Sequence, residues 1–332
     1  MSDALVDVGI PAHERPGYTR EALESVFAQT LGRWHATVSE NGDFPEVVRE
    51  ALQPLLDDPR VDFVVRPPSV SAVENWTAMI QTGTAPYVAL LHDDDLWDAE
   101  YLERRVDFLE RHPECAFVFS GTKEVDGEGR VTRLAPFELE EGVHEPEQFV
   151  PVLYKHNIIG PPSILVRRSA YEAVGPSFHT EIFPFFDYEM WLRLAVRYPI
   201  GYLRVRDCAV RIHDVRATFA LRDYGASYFQ ILDYADEMIP RVLPGARIPA
   251  RVRNRRRARA HLTSALDSLV VAGRRPAFKH LVAAVRVHPA SVFDVRFVGG
   301  LGALALGPAG PEALRRARRF VLRRGLSLHR FR

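Results

Sequence analysis

Cysteine is scarce in this chain: two among 332 residues, Cys115 and Cys208, too few for a disulfide framework and in no CxxC or metal-type spacing. Net charge is absent too, with 43 basic against 43 acidic residues, so the chain as a whole lacks the signature of a nucleic-acid binder. No apolar run reaches the roughly 18 residues that a membrane-spanning helix needs. The chain opens Met-Ser-Asp-Ala without a basic segment followed by an apolar one, which predicts a cytoplasmic protein. Nor is there a GxGxxG turn after the first apolar segment, where only Gly9 and Gly17 flank Pro11 to Pro16. That excludes a dinucleotide-binding oxidoreductase.

What is present is an alternation of short apolar strands and helices, with 47% apolar and 26% charged residues. Val6 to Ile10 predicts a first strand, which Pro11 should end because it has no N–H for a ladder. A helix is expected from Thr19 as N-cap, with Tyr18 and Leu23 as a hydrophobic staple. Further strands are expected at Trp34 to Val38, Phe63 to Val65, Tyr87 to Leu91, Ala116 to Phe119 and Ile164 to Val166. Another helix should start at Asp98 and stop at His112-Pro113. Together they predict a mostly parallel sheet, whose ligands bind at the strands' carboxyl ends.

Charge is unevenly spread. From about residue 241 onward, roughly twenty Arg and Lys face only Asp267, Asp294 and Glu312, and the pattern becomes helical. Two regions are therefore expected, 1–240 and a basic helical extension over 241–332.

His92-Asp93-Asp94-Asp95 follows the strand Tyr87 to Leu91 directly. Three adjacent carboxylates repel one another unless a cation or solvent absorbs their charge, so a hard divalent metal is one reading. An acidic surface turn capping the next helix is the other. Pro11-Ala12-His13 and Ser39-Glu40-Asn41-Gly42 also stand at strand carboxyl ends. Convergence of these groups on one sheet edge favours a site for something phosphorylated, held through a metal.

In order along residues 5 to 215, the segments Val8 to Pro16, Glu21 to Thr30, Val38 to Gly42 and Tyr87 to Trp97 resemble the family-2 glycosyltransferases of the GT-A fold. The resemblance implies a Rossmann-like sheet with helices on both faces and a metal-dependent (Mn²⁺ or Mg²⁺), inverting transfer of a sugar from a nucleoside diphosphate, most often UDP, to an acceptor hydroxyl. By the same resemblance, the run Pro11, Ala12, His13, Glu14 and Arg15 packs on the donor. Glu40, with Asn41 beside it, stands where an Asp usually meets the uracil ring. His92 replaces the first acid of the DxD spacing, leaving Asp94 as metal ligand and Asp93 for the donor ribose or the metal. Asp95 matches the acid that follows.

Glu74-Asn75-Trp76 is expected just before a helix, with Asn75 under the donor and Trp76 in the core. Read from its residues alone, Asp187, at the start of the apolar helix Met190-Trp191-Leu194-Ala195, is an N-cap. In the resemblance it is the catalytic base, with Phe186 in place of a first acid and Phe185 and Phe186 partly desolvating it. The tract Val210 to Thr218 resembles the family's Arg-x-His element, so His213 would complete the metal site and Arg211 or Arg216 would meet the diphosphate. Asn157 to Ser163 would face the acceptor, and Phe137 to His144 reads as a solvated loop or flap.

A sugar-nucleotide nucleotidyltransferase would need a glycine-rich phosphate loop with a basic residue after strand one. A non-catalytic nucleotide-sugar binding protein would leave Asp187 without a role. The tail Glu312 to Leu322 can be read either as a basic amphipathic helix at a membrane surface, giving peripheral attachment, or as a helix packed on the protein.

Overall fold

The structure is a computed structural model, and it describes residues 3–67, 70–212, 224–306 and 309. The chain divides into two compact units. The first comprises Met1–Val150, Asn157–Glu181 and Phe186–Arg211; the second comprises Pro151–His156, Ile182–Phe185 and Ile212–Arg332.

The first unit is built on an eight-stranded sheet. In chain order its strands are β1 (Val6–Ala12), β2 (Trp34–Glu40), β3 (Val61–Val65), β4 (Tyr87–Leu90), β6 (Phe117–Ser120), β9 (Gly142–His144), β10 (Ile164–Arg167) and β11 (Ile200–Leu203). Their spatial order is β3-β2-β1-β4-β10-β6-β11-β9. Six run in one direction, and β10 and β9 run against them. A second sheet, β5-β12-β7-β8, joins β5 (Leu96–Trp97), β7 (Lys123–Val125), β8 (Val131–Leu134) and β12 (Cys208–Arg211).

Helices cover both faces of β1, because successive side chains of a strand point to opposite sides. Val6, Val8 and Ile10 share a core with Ala22, Leu23 and Val26 of α1 (Pro16–Phe27) and with Val48 and Leu52 of α2 (Pro45–Leu56). On the other side Gly9 meets α3 (Ala72–Gln81), where a Cβ would stand 2.7 Å from that of Met79. The unit is completed by α4 (Tyr101–Arg111), α6 (Arg168–Val174) and α7 (Phe186–Ala195), and by the part of α5 (Pro146–Lys155) that belongs to it.

Several boundaries differ from expectation, each for a local reason. β1 continues through Pro11 to Ala12, pairing Pro11 with Ser39. Gly9 O accepts from Leu91 N on the β4 side; Pro11, two residues on, faces that side too, where β4 has already ended and no donor is required. α1 begins at Pro16, whose fixed φ suits the first helical position, and Thr19 lies inside it, donating to Arg15 O at 2.8 Å.

Ser71 and Glu74 form a capping box, so Glu74, Asn75 and Trp76 are inside α3 rather than ahead of it. Asp98 caps nothing: Leu96-Trp97 pairs with β12, α4 starts at Tyr101, and Asp98 binds Lys123 Nζ at 2.7 Å. Part of the segment Phe137 to His144 is a strand, β9, on the edge of β11.

The second unit contains α8 (Tyr224–Val242), α9 (Ala250–Val271), α10 (Arg274–Val287) and α11 (Val295–Ala305). Ala258, Leu262 and Ala265 of α9 pack with Leu281 and Ala284 of α10. The Arg-rich α9 is partly neutralised by α8, Arg257 binding Asp236 at 2.6 Å and Asp233 at 2.9 Å. Among the described residues no helix is long and apolar enough to cross a membrane.

Candidate active site

The carboxyl ends of β1, β2 and β4 meet through their loops. His13 N donates to Asp93 Oδ2 at 3.0 Å, and the Arg15 guanidinium reaches Asp93 Oδ1 at 2.8 Å and Asp94 Oδ2 at 3.2 Å. Glu40 is fully buried and folds back on its own loop, accepting from Gly42 N at 2.6 Å and from Glu14 N at 3.3 Å. Glu14, at φ 55°, occupies the left-handed region and returns the contact by accepting from Asp43 N at 2.7 Å. The two loops are thus stitched together by Glu14 and Glu40, leaving a Cβ on Gly42 only 2.3 Å from Glu14 Cγ.

Asp93, Asp94 and Asp95 are all buried. Burial raises Asp93, helped by the charge of Asp94 and opposed by Arg15, to about 6. Asp95 is raised as well, by burial and by Asp94. Burial works against the His92 imidazolium, but its bond to Asp95 and the charges of Asp95, Asp94 and Asp93 outweigh that effect and raise its pKa. The cluster therefore holds more negative charge than it can easily keep, which is the condition a bound dication relieves.

His92, Asp94 and Asp95 each offer one ligand atom, all within 4.8 Å of one another. His92 Nδ1 lies 3.2 Å from Asp95 Oδ2, while its Nε2 is buried without a hydrogen-bond partner. Two carboxylates and an imidazole nitrogen are a donor set that suits Mn²⁺ or Mg²⁺. His213 and Arg216 lie outside the described residues.

Two expected donor-facing residues are turned inward. Asn75 is buried, its amide taking a hydrogen bond from Ser39 Oγ at 2.6 Å and giving one to Ser39 O at 3.0 Å. Arg211 is fully buried over the Tyr18 ring, donating to Asp94 O at 3.0 Å, to Gly127 O at 2.7 Å and to Glu21. Its backbone N–H also donates to Asp95 Oδ1 at 2.9 Å. In this arrangement Arg211 fixes the acidic turn.

Asp187 stands in the first turn of α7, its Oδ1 accepting from Tyr188 N at 2.6 Å. The preceding Phe186 packs edge-on against Trp76 at 5.0 Å, and the same indole lies 4.6 Å from the His92 ring. Trp76 is therefore core, and it links the Asp187 helix to the acidic cluster. Phe185 instead stacks on Tyr228 within the second unit.

Some contributors were not foreseen. Glu21 holds Arg211, and Glu189 is fully buried 2.7 Å from Arg193 Nε, an ion pair off the hydrogen-bond axis. The i,i+4 spacing of Glu189 and Arg193 was a readable signal. A cleft of about 350 Å³ lined by Gln81, Gly83, Thr84, Arg168 and Glu172 lies at the opposite, amino-terminal edge of β4, and none of the clustered acids lines it.

A mostly parallel sheet thus carries clustered acids at its carboxyl edge, with Trp76 joining them to the start of α7. Glycosyl transferase family 2 matches residues 7–175, more than half of the chain, and the protein belongs to that family. Its sequence is 25% identical over 166 residues to TuaG of Bacillus subtilis (strain 168), covering 49% of this chain and 62% of TuaG. It is 20% identical over 198 residues to the uncharacterized glycosyltransferase MJ1057 of Methanocaldococcus jannaschii, covering 58% of this chain and 65% of that protein. The chain thus spans less than two thirds of these curated relatives. Among solved structures, S. aureus TarS 1-349 in complex with UDP-GlcNAc matches with a TM-score of 0.62 at 14% identity, covering 96% of this chain and 92% of that one. The likeness is one of fold, the GT-A fold with a helical region after it.

Proposed function

We propose that this protein is an inverting, metal-assisted glycosyltransferase that moves a sugar from a UDP-linked donor to an acceptor hydroxyl. The observation that carries the reading is the link through Trp76 between the turn of half-buried His92 and buried Asp93, Asp94 and Asp95 and the helix start bearing Asp187. TarS, whose structures hold UDP-GlcNAc in one case and UDP in another, supports the donor class.

The loop from Pro11 to Arg15, with Glu40 and Asn41, takes the nucleoside. Glu40 carries one methylene more than Asp, and its carboxylate already braces the loop that the base would touch. Asp94, Asp95 and His92 would hold the metal, with Asp93 anchoring Arg15 and His13 beside it. When bound, the ion supplies positive charge against the diphosphate.

Asp187 takes the proton of the acceptor hydroxyl as its oxygen attacks the anomeric carbon from the face opposite the nucleotide. The bond from that carbon to the diphosphate breaks, and its electron pair leaves with the nucleotide. One displacement inverts the centre. The first turn of a helix favours a negative charge, which suits the role of Asp187 as base.

The test is a thermal-shift screen of nucleotide sugars with Mn²⁺, followed by nucleotide release from the best stabiliser. A donor that binds the folded state raises the melting temperature by mass action. Stabilisation by a UDP-sugar and slow UDP release is the expected result. A requirement for pyrophosphate or a nucleoside triphosphate would make the protein a nucleotidyltransferase instead, and binding without turnover with any acceptor would leave a nucleotide-sugar binding protein.

A further inference from the structure

The helical unit carries a surface that the transfer reaction does not use. Of the eleven large hydrophobic side chains exposed among the described residues, six fall between Phe278 and Leu306. Phe293, in the 3-10 turn Pro289–Phe293 between α10 and α11, is 88% exposed, and Val298 is 60% exposed. α11 buries Gly300 and Ala303 on one side and exposes Val295, Val298 and Leu301 on the other, with Arg296 its only charge. A helix that is apolar on its outer face as well as its inner one is normally covered by something.

The neighbouring charge says what. On α10, Arg275, Phe278, Lys279 and Arg286 recur at helical spacing on the face opposite buried Ala277, Leu281 and Ala284. From Gly273 to Leu306 five basic residues meet a single acid, Asp294. A second copy of the chain would bring the same positive face against this one, and the sequence of residues 310–332 holds eight Arg and one Glu, so charge complementarity favours an anionic occupant over either. We propose that α10, α11 and the turn joining them dock the protein on an anionic lipid bilayer. Phe293, Val295 and Val298 enter the boundary between headgroups and acyl chains, and Arg275, Lys279 and Arg286 meet lipid phosphates.

The experiment is co-sedimentation of the full chain with phosphatidylcholine vesicles, with and without phosphatidylglycerol, at low and high salt. Binding should require phosphatidylglycerol and weaken with salt. The pair F293S/V298S should lower partitioning by at least about tenfold, and R275Q, K279Q and R286Q by roughly fivefold for each charge removed. These side chains are exposed, and unchanged melting temperature and donor hydrolysis would show that the fold is intact. Absence of wild-type binding, or binding unaffected by both sets of variants, overturns the proposal. So does a light-scattering dimer that F293S/V298S dissociates without any effect on vesicles. Loss confined to R315Q/R316Q/R318Q/R319Q would assign the contact to the tail and overturn it equally.

Discussion

The ring of Trp76 lies 4.6 Å from that of His92, and Phe186 meets the same indole at 5.0 Å. One side chain of α3 thereby couples a strand end to the start of α7. Trp76→Ala should cost about 3–5 kcal/mol of stability through the cavity it leaves. Trp76→Phe, which keeps an aromatic face, should fold with a smaller loss and reveal the coupling as a drop in kcat with little change in donor affinity. Denaturant unfolding and steady-state kinetics on both variants check this.

Asp187 and Asp94 should separate chemistry from metal binding. Under the proposed mechanism, Asp187→Asn should lower kcat by about 100 to 10,000 fold while sparing UDP affinity. Asp94→Asn should instead weaken Mn²⁺ binding, measured by calorimetry, and a chelator should inactivate the wild type reversibly. Unchanged turnover in Asp187→Asn would remove that residue from the mechanism.

Gly42→Ala tests the stitched loops. Its Cβ would stand 2.3 Å from Glu14 Cγ and 2.8 Å from Glu40 Oε1, so the contact between Glu14 and Asp43 N must open. A stability loss of about 1–3 kcal/mol is expected, together with weaker UDP binding by titration calorimetry.

In the helical unit His261 and His280 approach Nδ1 to Nδ1 at 3.2 Å, so at least one nitrogen must be unprotonated to accept. Burial lowers both pKa values, and the charges of His280 and Arg257 lower His261 further. A base whose folded value is depressed favours folding above its unfolded value; the contribution is lost as pH falls below about 6.5, where the unfolded chain takes up protons first. Thermal melts across that range should show the decline, and His280→Gln should flatten it.

Much of this was legible in the chain. The strands β1, β2, β4 and β6 announced themselves as apolar runs, and the acids of 92–95 fell at a strand's carboxyl end, where a parallel sheet needs its ligands. What stayed hidden depended on partners far away in sequence. Leu96-Trp97 is a strand only because β12 lies beside it, and Pro11 stays in β1 only because β4 stops short. Arg211 looked like a phosphate ligand because its type and motif said so. Its burial under Tyr18 with Glu21 and the Asp94 carbonyl is long-range packing, which no local pattern encodes.

The reversed direction of β10 has a consequence of its own. Running against β4 and β6, it places its beginning, the Asn157 to Ser163 approach, at the edge where theirs end. The forty-odd residues that wander from β6 to β10 are pinned at both limits to neighbouring rungs of one sheet. Gly127, within that stretch, accepts from the buried Arg211 that also holds the Asp94 carbonyl, so shortening the excursion there would slacken the acidic turn as well as the excursion itself.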